Sequence, residues 1–245
     1  MNLFQFLCRP KGSVVILDAE RKLGDFSLPP SDYDTSLCKE NEARRFLFGI
    51  EGRGLRFLDV GGRDGKLTYL LGIHKDLAID EVFYEENRKH FYEKYEYYGL
   101  DIAPESDPRV LGGDICSEKF LDDFPAFREG FDYIYSNNVF EHLRKPWIAA
   151  QHIWNLLKRG GVCSIAVPFS QRYHESPGDF FRYTHTGILS LFEDQGPLEV
   201  LASGYDIQGR RTNWQGGGKA MDIVPVDHFG AWRESWFSVC ILRKK

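Results

Sequence analysis

The sequence predicts an α/β fold, a mostly parallel sheet flanked by helices whose last strand runs antiparallel to its neighbour. Three observations carry this. Apolar strand-like runs alternate with helix-spaced segments from about residue 55 onward. The first run, FLDV at 57 to 60, passes directly into the glycine turn GGRDG and then into a helical pattern, a strand-turn-helix unit. The final run, SWFSVCILRKK at 235 to 245, follows another strand with no confident helix between them, so it should pair antiparallel.

Residues 1 to 50 hold Pro29, Pro30 and then the helix-like CKENEARRFLFG at 38 to 49. They read as an N-terminal extension packed on the sheet or over its mouth, ahead of one domain at 51 to 245. LRFLDVG (55 to 61) is the continuous apolar run of a buried parallel strand, and GKLTYLLGIH (65 to 74) has helical spacing through Leu67, Leu70 and Leu71. Residues 75 to 94, rich in Phe, Tyr and Glu, read as a long connection. YEYYGLD (95 to 101), RVLGGDI (109 to 115) and FDYIYSNN (131 to 138) read as the second, third and fourth strands, each ending in polar residues.

Helices are expected at 117 to 127 and at PWIAAQHIWNLLKRGG (146 to 161), where Pro146 suits a first turn and Gly160 with Gly161 a stop. VCSIAVPF (162 to 169) reads as the fifth strand, THTGILSLFEDQG (184 to 196) as a helix capped by Thr184, and LEVLASGYDI (198 to 207) as the sixth strand. The Gly-rich segment 208 to 234 is too irregular for a confident crossover helix.

The chain has 245 residues, 42% hydrophobic and 27% charged, enough for one substantial core. Its net charge of −5 and scattered Lys and Arg leave no basic stripe, which argues against nucleic acid as a partner. Cys8, Cys38, Cys116, Cys163 and Cys240 form no CxxC pair, against a disulfide framework or zinc knuckle and in favour of a reducing cytoplasm. The apolar start MNLFQFLCRPKGSVVIL is split by Arg9, Pro10 and Lys11, and no run approaches the ~18 apolar residues of a membrane helix. A soluble protein is expected, with a homo-oligomer left open.

In an open parallel sheet, ligands lie beyond the carboxyl ends of the strands near the switch point. Those ends carry Asp59 with Gly61, Gly62, Arg63 and Gly65, then Asp101, then Asp114 with Ile115, then Asn137 with Asn138. Glycines let backbone N–H groups approach a ligand, and a helix N-terminus favours an anionic group. An acid ending the second strand can accept both ribose hydroxyls, and Asp114 can receive an adenine amine. The plainer reading is that Asp101 caps the loop before APESDP and Asp114 the helix after it.

These residues resemble the class I S-adenosylmethionine-dependent methyltransferases over about residues 55 to 245. FLDVGGRDG looks like the family's first motif, YYGLDIAP like its ribose-binding acid and VLGGDI like its adenine motif. FDYIYSNNVFEHLRKPWIAAQHIWNLLKRGGVCSIAVPF looks like its fourth-strand motif through the fifth strand. The resemblance implies a Rossmann-like fold with a seven-stranded sheet and antiparallel last strand, S-adenosylmethionine as cofactor, and Asp59, Gly61, Gly62, Arg63, Gly65, Asp101, Asp114, Ile115 and Asn137 in its site. The chain departs at Arg63, where the family's G-x-G-x-G turn places glycine. Either Arg63 tolerates a positive φ or the turn takes another shape, and its side chain should leave the pocket or contact the cofactor carboxylate.

A narrower similarity ties YHESPGDFFRYTHTGILSLFED to methyltransferases found with polysaccharide and glycan biosynthesis enzymes, which implies O-methylation of a saccharide or glycoconjugate. A quinone, polyketide or amine acceptor is the alternative, and a non-catalytic binding module a third reading. A nicotinamide oxidoreductase is disfavoured by the antiparallel last strand and NNVFEHL. A sugar hydroxyl needs a general base, and His142 is the first choice, against a structural role for the same residue. His174, Glu175 and Asp179 lie on the loop after the fifth strand, where His174 or Asp179 could orient or replace it, or serve turn chemistry alone.

Glu141, Arg182, Tyr183 and Trp214 are assigned to the acceptor, with a brace of the loop against Asp179 as the equal alternative for Arg182. Phe180, Phe181, Trp214, Trp232 and Trp236 offer aromatic faces to a sugar beside Asp206, Gln208 or Arg210, or a small core under the 208 to 234 loop. Glu141 and His142 with His174 or His185 have metal-ligating types, but Asn138 stands where an E-x-x-E-H motif has its first acid, so no metal is assigned and a divalent ion is not favoured.

Overall fold

Seven strands hydrogen-bond side by side: β1 (Leu55–Val60), β2 (Tyr95–Asp101), β3 (Val110–Gly112), β4 (Phe131–Asn137), β5 (Leu157–Ser170), β6 (Leu198–Gly209) and β7 (Ser235–Lys244). A computed structural model describes residues 37–72, 74–75, 78–171, 173–174, 177–209 and 235–245. The sheet order is β3-β2-β1-β4-β5-β7-β6. The pairs β1/β2, β1/β4, β2/β3 and β4/β5 are parallel, and β7 lies antiparallel between β5 and β6. The chain moves outward from β1 through β2 to β3 and then returns to the other side of β1 as β4. That reversal opens a crevice at the carboxyl ends of β1 and β4.

Alternation along the strands assigns the two faces. Leu58 and Val60 of β1, Ile134 of β4 and Ile165 and Val167 of β5 pack with Ala149, Ala150 and Ile153 of α5 (Pro146–Leu156) and Ile188 and Phe192 of α6 (His185–Glu193). The opposite face is aromatic: Phe57, Tyr95, Tyr97, Tyr133 and Tyr135 meet Ala43 and Leu47 of α1 (Lys39–Gly49), Leu70 and Leu71 of α2 (Thr68–Leu71) and Phe91 of α3 (Glu81–Lys94). Burying phenols requires partners for their hydroxyls, and α1 supplies two. Tyr133 donates to the Ala43 carbonyl (2.9 Å) and Tyr95 to the Leu47 carbonyl (2.6 Å). Arg44 returns the favour to α2, donating to the Leu70 (2.8 Å) and Gly72 (3.0 Å) carbonyls. Residues 38 to 49 thus pack on the sheet face, while residues 1 to 36 lie outside the described residues.

Several boundaries differ from expectation for identifiable reasons. The first helix is only Thr68–Leu71, because Leu67 before it is left-handed (φ 55°) and Gly72 ends it. The connection 75 to 94 contains the 14-residue α3, capped by Asp80, whose carboxylate accepts from the Phe83 N–H (3.1 Å). Of its side chains only Phe91 is buried, so its apolar period was faint. The segment 117 to 127 divides at Pro125 into α4 (Phe120–Asp123) and a 3₁₀ turn. The fifth helix stops at Leu156, and Lys158 to Gly161 join β5.

No helix among the described residues is long and apolar enough to cross a membrane. Cys38, Cys116, Cys163 and Cys240 are free thiols, the last two buried.

Candidate active site

The glycine turn after β1 is fixed by contacts that exclude side chains. Gly61 has φ +85°, its N–H donates to the Leu100 carbonyl (2.8 Å), and a Cβ there would lie 2.3 Å from Val139 Cγ2. The turn is therefore pressed against both β2 and the loop after β4. A Cβ on Gly62 would meet the Asp59 carboxylate at 2.3 Å, so that buried acid sits directly beneath the bare turn. Burial pushes the Asp59 carboxyl up to about 7, opposed by a hydrogen bond from the Tyr97 hydroxyl (3.4 Å) and reinforced by Asp64 and Asp101.

Arg63 is not among the residues of positive φ; the left-handed positions are Gly61, Gly65 and Leu67. The turn keeps its glycines where φ demands them, and Arg63 extends outward to Glu105 (Nε to Oε1, 3.1 Å) with 66% of its side chain exposed. It lines the rim of the cavity from there.

A cavity of about 730 Å³ opens at the strand ends. Gly61, Arg63, Asp101, Asp114, Ile115 and His142 line it, which brings together three strand ends and the loop after β4. One Asp101 oxygen takes the Ala103 N–H (2.8 Å) and one Asp114 oxygen the Cys116 N–H (2.8 Å), so each acid fixes its own loop while facing the cavity. The expected capping and the expected ligand-facing position coexist in the same side chains.

Beyond β4 the chain forms a 3₁₀ turn, Phe140–His142, against the loop after β5. Phe180 N–H donates to the Glu141 carbonyl (2.8 Å), and His142 Nδ1 hydrogen-bonds the Gly178 carbonyl. A carbonyl only accepts, so Nδ1 carries the hydrogen and Nε2 the lone pair of the neutral ring. Nε2 lies 3.7 Å from Glu141 Oε1. Glu141 is completely buried, neither carboxylate oxygen has a hydrogen-bond partner among the described residues, and burial pushes its carboxyl up to about 7. The His174 ring stands edge-on to His142 with centroids 5.1 Å apart.

His174 makes a turn contact of the kind the plainer reading expects: its N–H donates to Asp179 Oδ2 (2.8 Å), and its Nδ1 lies 3.5 Å from the same oxygen. Arg182 clamps Asp179 through both its terminal nitrogens, Nη2 at 2.6 Å, and holds that carboxyl down at about 2. Tyr183 is buried, its hydroxyl donating to the Phe140 carbonyl (3.0 Å). Asn137 receives Lys39 Nζ (3.0 Å) rather than lining the cavity, and His185 bonds Ser203 Oγ (2.8 Å) away from the Glu141 cluster.

Trp214, Trp232, Arg210 and Glu175, together with the Gln208 side chain, lie outside the described residues. Of the other aromatic residues, Phe180 lines the cavity under the Arg144 guanidinium (4.7 Å), Phe181 packs beside Tyr183, and Trp236 beside Tyr205 and Phe169. Asp206 is buried and accepts from the Lys39 N–H (3.1 Å).

Asn138, named at the end of the fourth strand but given no role in the site, lines the cavity with φ +56°. Its signal was present, since asparagine is enriched at such positive φ and ends an Asn-Asn pair at a strand terminus. Pro177 and Gly178 also line the cavity, carried there by the loop's bonds to Glu141 and His142, a long-range placement that no spacing encodes.

A family model described as "Methyltransferase domain" matches residues 32–211. Among solved structures, a Bacillus halodurans protein assigned by inference as a methyltransferase aligns with 84% of this chain and 98% of its own at 11% identity and a TM-score of 0.54. The YcgJ protein of Bacillus subtilis gives 84%, 98%, 12% and 0.51, and a Galdieria sulphuraria protein assigned by inference as a sarcosine dimethylglycine methyltransferase gives 84%, 85%, 16% and 0.51. Identities this low show a shared fold. A search of curated proteins finds no match to the chain.

Proposed function

The chain belongs to the methyltransferase-domain family, and from that premise we propose that it methylates a hydroxyl of a sugar or glycoconjugate. It is an S-adenosylmethionine-dependent methyltransferase. Its residues suit that cofactor: a glycine turn where two Cβ atoms would collide, and acids at successive strand ends facing a cavity of about 730 Å³. We assign Gly61, Gly62, Gly65 and the exposed backbone around Arg63 to the amino-acid end, Asp101 to the ribose, and Asp114 with Ile115 to the adenine. Asp59 supports the turn from below. S-adenosylmethionine supplies an electrophilic methyl on a sulfonium whose departure as a neutral thioether needs no acid.

The chain's own task is to align an acceptor oxygen, exclude water and make a weakly acidic hydroxyl nucleophilic. We assign hydroxyl activation to His142, in the simplest form as the proton acceptor, because the Gly178 carbonyl fixes its tautomer and leaves the lone pair on Nε2. Asp179 and Arg182 hold His174 and the loop beside it.

The sugar reading is supported by the half-exposed Phe180 ring at the cavity, a face suited to the C–H side of a pyranose, together with the resemblance over 173 to 194. The reading also places the protein in the cytoplasm. Methyl transfer from labelled cofactor to a panel of glycans and nucleotide sugars, run against quinones, phenols and amines, tests it. Turnover confined to the second group would exclude the sugar.

A further inference from the structure

Glu141 is the one described carboxylate that is wholly buried with both oxygens lacking a hydrogen-bond partner among the described residues. A carboxylate in that setting is costly unless a cation joins it. Its neighbours are also oriented in a particular way. Oε1 faces His142 Nε2 at 3.7 Å, and a ring nitrogen of His174 completes a trio of donor atoms lying within 4.8 Å of one another. Two donors bound at about 2.1 Å to one ion sit roughly 3 to 4 Å apart, so Glu141 and His142 already have that separation. The half-exposed His174 side chain closes the remainder by a small adjustment.

We infer that Glu141, His142 and His174 form a binding site for a divalent transition-metal ion at the edge of the cofactor cavity. The groups behind these ligands hold their rings as a metal site requires. Ligating histidines present one nitrogen to the ion and donate the other ring N–H to an oxygen that fixes the ring. His142 gives Nδ1–H to the Gly178 carbonyl, and His174 Nδ1 lies beside Asp179, itself locked by Arg182. One carboxylate with two imidazoles suits zinc, iron, cobalt or manganese better than magnesium or calcium, which prefer oxygen throughout.

The inference rests on the reading that the acceptor hydroxyl is activated at His142, and it changes how. His142 would then hold the ion together with Glu141 and His174, and the ion would supply Lewis-acid activation of the acceptor hydroxyl. The hydroxyl proton would pass to solvent as its oxygen forms the O–C bond and the C–S bond of the sulfonium breaks, releasing the neutral thioether. Asn138, which stands where an E-x-x-E-H motif has its first acid, lines the cavity and is not among the three ligands.

The test is calorimetric titration of Zn²⁺, Mn²⁺ and Mg²⁺ into chelator-stripped full-length protein. One equivalent of Zn²⁺ or Mn²⁺ should bind, well ahead of Mg²⁺. Glu141→Gln should weaken binding by about 100-fold or more, beyond the roughly 10-fold to 100-fold expected of Asp179→Asn, which alters the group beside the His174 ring. Glu141→Gln is isosteric and relieves an unpaired charge, so it should melt no lower than wild type without metal; should it fail to fold, His174→Gln, at a half-exposed position, decides in its place. Cys38→Ser guards against the other cluster of ligand types, Cys38, Glu40 and Asp206, and should bind as wild type does.

Failure of wild type to bind either transition ion, equal binding by Glu141→Gln, or loss confined to Cys38→Ser would each overturn the site. S-adenosylmethionine titrated into the stripped protein reads the methyltransferase assignment separately. Cofactor binding without metal binding sinks only the cation site, and absence of cofactor binding sinks the broader reading.

Discussion

The two walls of the cavity are built on opposite principles. On the β1–β3 side, the acids are satisfied locally, Asp101 and Asp114 each taking a backbone N–H two residues on, while Gly61 bonds Leu100 backbone to backbone and Arg63 pairs with Glu105 at the surface. On the β4–β5 side, the wall is made of side chains and of loops brought together over more than 30 residues. Glu141 and His142 hold the loop at 178 to 181, Asp179 in turn holds Arg182 and His174, and the Glu141 carboxylate has no hydrogen bond among the described residues. The first wall is a preformed cradle whose free surface is backbone. The second is a side-chain assembly with an unmet charge, the wall where chemistry needs a group that changes state.

The sharpest break of the first wall is Gly61→Ala. Its Cβ would fall 2.3 Å from Val139 Cγ2 on a backbone at φ +85°. Overpacking and left-handed strain together predict a loss of about 3 kcal/mol in urea denaturation, with cofactor binding lost as well. The matching break of the second wall is Arg182→Met, which strands Asp179, a side chain only 1% exposed. Because Arg182 itself is partly exposed, we expect about 2 kcal/mol of destabilisation, while the cofactor Kd stays within about twofold. A large loss of cofactor affinity in Arg182→Met would mean that the walls are coupled.

Much of the first wall was legible in the sequence because it is local. FLDVGG, LDI and GGD each state a strand end and its acid within a few residues. Arg63 looked anomalous only because a motif position was equated with a backbone conformation; the left-handed angles fall at Gly61 and Gly65 instead. The second wall was legible as a list of reactive residues and not as an arrangement. NNVFEHL showed Glu141 beside His142 and the sequence offered Arg182 as a brace for Asp179, as the structure has it, but nothing in spacing says that Gly178 returns to cap one ring nitrogen. The missed helix at 81 to 94 has a similar cause, since a surface helix with one buried side chain leaves almost no period to read.

Asp59 gives the comparison a pH signature. Its folded carboxyl is raised to about 7 from the usual carboxylate range, so the native state keeps a proton that the unfolded chain has already released. The free protein should lose stability as pH rises from about 4 through about 7. A cationic ammonium held by the turn favours the carboxylate, so S-adenosylmethionine should bind more tightly as pH rises through that same range. Calorimetry at a series of pH values checks this, and Asp59→Asn should flatten the dependence. Smallest of all is Arg63→Gly: an exposed ion pair contributes under about 1 kcal/mol, so the Kd should move by no more than about threefold. A change of 30-fold would place the guanidinium on the cofactor.

The account stands on the cradle, and one titration addresses it directly: S-adenosylmethionine into wild type, Asp101→Ala and Glu141→Gln, each checked for an unchanged melting temperature. The prediction is one equivalent bound by wild type and by Glu141→Gln, with Asp101→Ala weakened by about 1.5 to 3 kcal/mol, roughly 10-fold to 150-fold. No binding by wild type, or equal affinity in Asp101→Ala, would contradict it.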